Sequence, residues 1–175
     1  MKIAQVAPLW ERVPPPTYGG IELVVSLLTD ELVRRGHDVT LFASGDSETL
    51  AKLEGVYPRP LRMDPDIKEH MMYETLHASR VYQQAAEFDI IHSHVGIWAL
   101  PLASMVSTPT VHTLHGRFTR DSSPVYSFYG TQPYVSISNA QRTIDLNYAS
   151  TVYNGINIEE YPFVEKAQDP PYLAF

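Results

Sequence analysis

Along the chain, short apolar runs rich in β-branched residues alternate with longer stretches whose apolar positions recur at helical spacing. Lys2 to Ala7 predicts a buried strand. Ile21 to Arg35 predicts a helix, with Ile21, Val24, Val25, Leu28, Leu32 and Val33 on one side and Gly36 as its stop. Asp38 to Ser44 predicts a second strand, and the stretch holding Pro58, Pro60 and Pro65 predicts a loop. Ile67 to Ala86 predicts a helix with Ile67, Met71, Leu76 and Val81 facing inward. Asp89 to His94 predicts a strand, Trp98 to Val106 a short helix containing Pro101, and Thr110 to His115 a strand followed by a polar loop through Ser123. Tyr134 to Ser138 predicts a strand, Ala140 to Leu146 a helix and Thr151 to Tyr153 a last strand. Strands that are largely apolar and separated by helices belong in a parallel sheet covered on both faces. The crossovers are right-handed, and such sheets take ligands at the carboxyl ends of their strands.

Composition narrows the function classes. The 175 residues are 44% hydrophobic, enough for one core, and no internal repeat divides them. Thirteen basic and twenty acidic side chains leave a net charge of −7, which repels nucleic-acid backbones and anionic lipid. The absence of cysteine removes disulfides and thiolate metal sites. The amino terminus is too short an apolar run for a signal peptide, and the most apolar window, Ile90 to Val106, is broken by His92, His94 and Pro101. A soluble, cytoplasmic protein is the expectation. Lys68 and Arg80 stand against Glu69 and Glu74 on the Ile67–Ala86 helix, which is not a basic membrane-binding face, so membrane contact is not favoured.

The candidate chemistry collects where strands end. The first loop, Leu9 to Gly20, is stiffened by Pro14, Pro15 and Pro16 and closes on Gly19-Gly20 at the start of a helix. Glycines there let a ligand meet unpaired N–H groups and the positive end of the helix dipole, as a diphosphate would. The pattern is not G-x-G-x-x-G, and a glycine pair also serves as plain turn chemistry. Glu22 is expected to complement the dipole. His92 and His94 share one strand face, as alternation requires, and His112 and His115 end another strand. No carboxylate adjoins either pair, so satisfied core histidines are expected at 92 and 112 rather than a metal site. His115, followed by Gly116, is best placed to meet substrate. Arg117 and Arg120 in the next loop suit an acidic or phosphorylated acceptor, and Asn154-Gly155 is a turn signal.

Five segments, in order and covering nearly the whole chain, resemble retaining glycosyltransferases of family four. They are Gly19-Gly20-Ile21-Glu22, Asp89 to His94, Thr113-Leu114-His115-Gly116, Ser136-Ile137-Ser138, and Val152 to Asn157. The resemblance implies a GT-B fold of two Rossmann-like domains, of which this chain is the amino-terminal, acceptor-side half. It implies Gly19 and Gly20 near the donor diphosphate and His115, as the catalytic residue, near the transferred sugar. The expected acceptor-binding set is Arg12, Tyr18, His94, Arg117 and Arg120. It implies a nucleotide-sugar donor (UDP-, GDP- or ADP-linked), a small-molecule, glycan or lipid-linked acceptor, and neither cofactor nor metal. Asn157 stands where the family usually has Asp, a difference expected to affect the linker more than the chemistry.

The expected domains are residues 1–156 as the acceptor-side domain, 157–171 as a linker, and 172–175 as the first strand of a truncated donor-binding domain. The family's downstream basic pair and spaced glutamates would lie beyond Phe175. Other readings are a sugar-nucleotide epimerase or hydrolase of the same architecture, a non-catalytic binding domain, and a metal-dependent hydrolase using the histidines.

Overall fold

The computed structural model describes residues 1–160, 165 and 166; the expected linker beyond residue 160 and the terminal strand at 172–175 otherwise lie outside them. Seven parallel strands form one sheet: β1 (Lys2–Val6), β2 (Asp38–Phe42), β3 (Lys52–Glu54), β4 (Ile90–Ser93), β5 (Thr110–Leu114), β6 (Tyr134–Ser136) and β7 (Tyr148–Thr151). Their order is β3-β2-β1-β4-β5-β6-β7. The chain therefore leaves β1 in one direction and returns to its other side at β4, which opens a crevice between the carboxyl ends of β1 and β4.

Helix α1 (Gly20–Arg34) covers one face of the sheet, where Ile21 and Val25 pack on Ala7, Leu41 and Ala43. Helices α2 (His70–Gln83), α3 (Leu100–Ala103) and α4 (Ser122–Phe128) lie on the other. There Val81 and Tyr82 meet Ala4, Val6, Phe42 and Ile91, and Leu100 meets Leu114 and Tyr134. Alternation along β1 separates the faces: Ala4 and Val6 enter the α2 side, while Gln5 turns to the α1 side.

Four expectations are corrected. Helix α2 turns His77, Ala78, Val81 and Tyr82 inward, while Met71 and Leu76 are 59% and 54% exposed. Counting only apolar residues missed that His77 becomes a core residue because its Nε2 donates to the Ala7 carbonyl at 2.9 Å. Residues 140–146 form no α-helix; a single 3-10 turn spans Asn139–Gln141. Gln141 holds it, since its carbonyl oxygen accepts from Ile137 N–H and its amide donates to the Leu114 and Gly116 carbonyls. The last strand is Tyr148–Thr151 rather than 151–153, because Tyr148 packs into the cluster under Tyr134 whereas Val152 and Tyr153 are exposed. Finally, the loop expected through Ser123 gives way to α4 at Ser122, anchored to the core by Val125 and Tyr126, and β3, for which the sequence predicted no element, pairs along β2.

Candidate functional site

The first loop is built to hold one shape. Leu9 and Val13 are fully buried. Val13 N–H donates to Ser47 Oγ at 3.0 Å, and its carbonyl accepts from Glu48 N–H at 2.7 Å. Glu11 is buried and pairs with Arg62 at 2.7 Å. Leu9 donates its N–H to Glu74 Oε1 and accepts one from Leu61, both at 2.9 Å. The loop ends on Gly19, whose φ of 152° lies in the region that favours glycine. A Cβ there would stand 2.6 Å from Pro15 Cβ and 3.0 Å from Glu22 Oε2, so a side chain is excluded twice over. At Gly20, the first residue of α1, a Cβ would meet nothing within 4 Å. The helix has no side-chain N-cap, and within its first turn the Glu22 carboxylate turns back onto its own backbone N–H.

Behind this loop a row of polar side chains crosses the α1 face of the sheet. Gln5 Oε1 lies 3.2 Å from His94 Nε2, and His94 Nδ1 lies 2.8 Å from His115 Nε2. On the other side of Gln5, its Nε2 donates to His92 Nδ1 at 3.4 Å, and His92 Nε2 lies 2.7 Å from Thr113 Oγ1. The His92 and His94 rings stand 4.2 Å apart, as their shared strand face requires. Burial pulls His92 and His115 down to about 4 and holds His94 well below its ordinary value, so all three imidazoles are neutral at neutral pH.

His94 and His115 line a cavity of about 260 Å³ together with Ile21, Glu74, Gly116 and Tyr126. It lies at the carboxyl ends of β1, β4 and β5, where the strand order reverses. Gly19 and Gly20 immediately precede Ile21, so the α1 amino terminus and His115 belong to one concave region.

The structure thus brings His94 and His115 together on a cavity that also reaches Ile21, the residue after Gly19-Gly20. His94 stands behind His115, 3% exposed and with both ring nitrogens engaged. The other acceptor candidates lie apart from this row. Arg12 pairs with Glu48 at 3.3 Å and donates Nε to the Pro14 carbonyl. Tyr18 is 71% exposed, with the Arg62 guanidinium 5.7 Å from its ring centre. Arg117 and Arg120 are exposed on the loop between β5 and α4.

His112 departs from the satisfied core histidine expected of it. It is buried on the α2 side of β5, and neither ring nitrogen has a hydrogen-bond partner. The Gln132 carbonyl oxygen, also unpartnered, lies near enough to favour the imidazolium slightly, yet outside hydrogen-bonding geometry. Burial dominates and holds His112 at about 4.

Sequence reasoning missed Glu74 and Gln5 as site residues. Glu74 is pushed up to about 7 by burial and further by the charge of Glu22, against the Leu9 N–H bond. Its second oxygen is buried without a partner. Glu22, expected to complement the helix dipole, stands in the first turn but is 4% exposed and likewise raised by burial, opposed by its own backbone N–H and that of Glu11. A signal for Glu74 existed: positions 74, 77, 78, 81, 82 and 85 form a helical stripe, but two of its members are polar. Nothing in the sequence singles out Gln5 from other polar residues of a buried strand.

Among the described residues no helix is long and apolar enough to cross a membrane, and no group of three or more His, Cys, Asp or Glu is arranged to hold a metal. Comparison with curated proteins returned no match. Among solved structures, AviGT4, a glycosyltransferase involved in avilamycin A biosynthesis, superposes with a TM-score of 0.58 at 26% identity, over 92% of this chain and 44% of its own. MurG of Acinetobacter baumannii superposes with a TM-score of 0.54 at 11% identity, over 95% of this chain and 50% of its own, and speaks to the fold alone. The chain thus spans half or less of the length of these proteins, and its sheet is the Rossmann-like half of a GT-B fold. The model of Glycosyltransferase Family 4 matches residues 18–160, from the glycine loop through the whole remaining sheet, and the chain belongs to that family.

Proposed function

We propose that the chain is the acceptor-side half of a glycosyltransferase that moves a sugar from a nucleotide-sugar to an acceptor hydroxyl with retention. The observation that carries this reading is the meeting of the first turn of α1, at Ile21, and the His94–His115 pair in one crevice at the strand-order reversal. The Gly19–Gly20 turn exposes the N–H groups of α1 to the diphosphate, and the helix dipole stabilises the charge that develops as the leaving group departs. His115 contacts the transferred sugar. It stays neutral, so it acts by hydrogen bonding rather than as a cation. The leaving diphosphate takes the acceptor proton on the same face of the sugar, so no protein nucleophile is required. Arg12, Tyr18, Arg117 and Arg120 border the acceptor, and the nucleotide is held mainly by a second half, a division supported by the chain's spanning half or less of AviGT4 and MurG.

The test is a transfer assay on the protein joined to its second half, with UDP-, GDP- and ADP-sugars and anomer analysis of the product by NMR. One of these donors should yield a product that keeps the donor's anomeric configuration. The 175-residue chain alone should bind each donor no tighter than about 1 mM, roughly 4 kcal/mol. An inverted product overturns retention, and micromolar donor binding by this chain overturns the division of labour.

A further inference from the structure

The buried row behind His115 assigns hydrogen-bonding roles that no single residue would reveal. Gln5 is fully buried next to the carboxyl end of β1, with its amide between two imidazoles. An amide oxygen only accepts, so the Gln5 Oε1 contact requires His94 to carry its proton on Nε2. A neutral imidazole with Nε2–H leaves Nδ1 as an acceptor, so the 2.8 Å contact must be donated by His115 Nε2–H. His115 is then left with an unprotonated Nδ1, which no described protein group meets, in a residue that lines the cavity. The opposite arm is consistent. The Gln5 amide donates to His92 Nδ1, which places the His92 proton on Nε2, where the Thr113 hydroxyl accepts it. Reversing the Gln5 amide would invert every role in the row.

We propose that Gln5 is a positioning residue which, through His94, holds His115 as the Nε2–H tautomer so that Nδ1 accepts a hydrogen bond from a substrate hydroxyl. This rests on the transferase reading for the identity of the hydroxyl, whereas the tautomer relay rests on the contacts within the row and the orientation of the Gln5 amide. His94 acts as the transmitting element: buried, with both ring nitrogens engaged by Gln5 and His115, it has no nitrogen left to bond a substrate. The chemistry selected is a hydroxyl that donates, such as one on a sugar ring. A group that can only accept, such as an ether oxygen or a carboxylate, is refused by the Nδ1 lone pair.

Side-chain 15N NMR of the purified protein reads both ring nitrogens of each imidazole. At about pH 7, where the row is neutral, His94 and His115 should both show protonated Nε2 and unprotonated Nδ1. Gln5→Met keeps the volume but removes both amide contacts, and should turn His115 into a tautomer mixture. Gln5→Glu retains an oxygen toward His94 and should preserve the wild-type tautomer. In the transfer assay Gln5→Met should lower kcat about tenfold, the kinetic size of one net hydrogen bond, with KM changed by less than about twofold. Gln5→Glu should recover most of the loss. His115 found as the Nδ1–H tautomer in the wild type, or unaltered in Gln5→Met, overturns the proposal. Should Gln5→Met not fold, the wild-type tautomers alone decide. Tautomers that obey Gln5 in a protein that transfers no sugar would discard the transferase reading and leave the relay intact.

Discussion

The two faces of strands β4 and β5 treat histidine in opposite ways. On the α1 face, His92, His94 and His115 form a chain of contacts with Gln5 and Thr113, ending at a cavity. On the α2 face, His112 is buried against Tyr134 with neither nitrogen bonded. The same residue type on neighbouring positions is a connected hydrogen-bonding device on one side and an unpaired polar group in an apolar cluster on the other. Burial alone therefore does not distinguish these histidines; what does is whether hydrogen-bond partners fix the imidazole proton, as on the α1 face and not at His112.

The largest way to break this contrast is acid. Burial holds His77, His92, His112 and His115 at about 4 in the folded protein, against an unfolded value of 6.5. A depressed folded value means stability that is present above pH 6.5 and is lost as pH falls toward 4, at roughly 3 kcal/mol for each group at most. Glu74 works the other way. Raised to about 7 from 4.5, it contributes stability below pH 4.5 that is lost as pH rises through 7. Denaturant unfolding from pH 4 to 8 should show a steep acid loss, with Glu74→Gln more stable than the wild type at pH 8 and close to it at pH 4. A flat profile between 6.5 and 4 would mean that the histidine row is hydrated.

A smaller effect separates the faces by kinetics. His115→Ala should lower turnover about 10²-fold, the scale of one positioned polar group, with a small change in melting temperature. If it melts lower and turns over normally, His115 belongs with His112 as a core residue. The converse substitution, His112→Leu, should raise stability by about 1–2 kcal/mol, because two unpaired buried nitrogens disappear, and leave kcat unchanged. Loss of stability there would show that His112 has a partner such as bound water.

The glycine loop offers the cleanest comparison. Gly19→Ala should destabilise by about 1–3 kcal/mol through its positive φ and the Pro15 contact, whereas Gly20→Ala should change stability by less than about 1 kcal/mol. Gly20→Val, by contrast, should weaken donor binding through the space it fills. Equal melting temperatures for the two alanine variants would show that the loop relaxes around Gly19.

Alternation and helical spacing in the sequence determined the parallel sheet, the first helix and the placement of His92 and His94 on one face, because these depend on local periodicity that any buried strand or helix must obey. Spacing also placed Gly19, Gly20 and His115 at strand ends, where a doubly covered sheet leaves room for ligands. Only the tertiary structure decided which face of α2 is buried, since the Ala7 carbonyl that makes His77 a core residue lies 70 positions away in the chain. It alone tied Gln141 into a turn in place of a helix, through carbonyls on β5 and its loop. The same holds for the site. Glu74 joins it because Leu9 needs an acceptor, and Gln5 joins it because β4 and β5 bring two imidazoles and a hydroxyl to its side of the sheet. A side chain's hydrogen-bond partner is set by which strands become neighbours, and that is a property of the folded sheet rather than of any stretch of sequence.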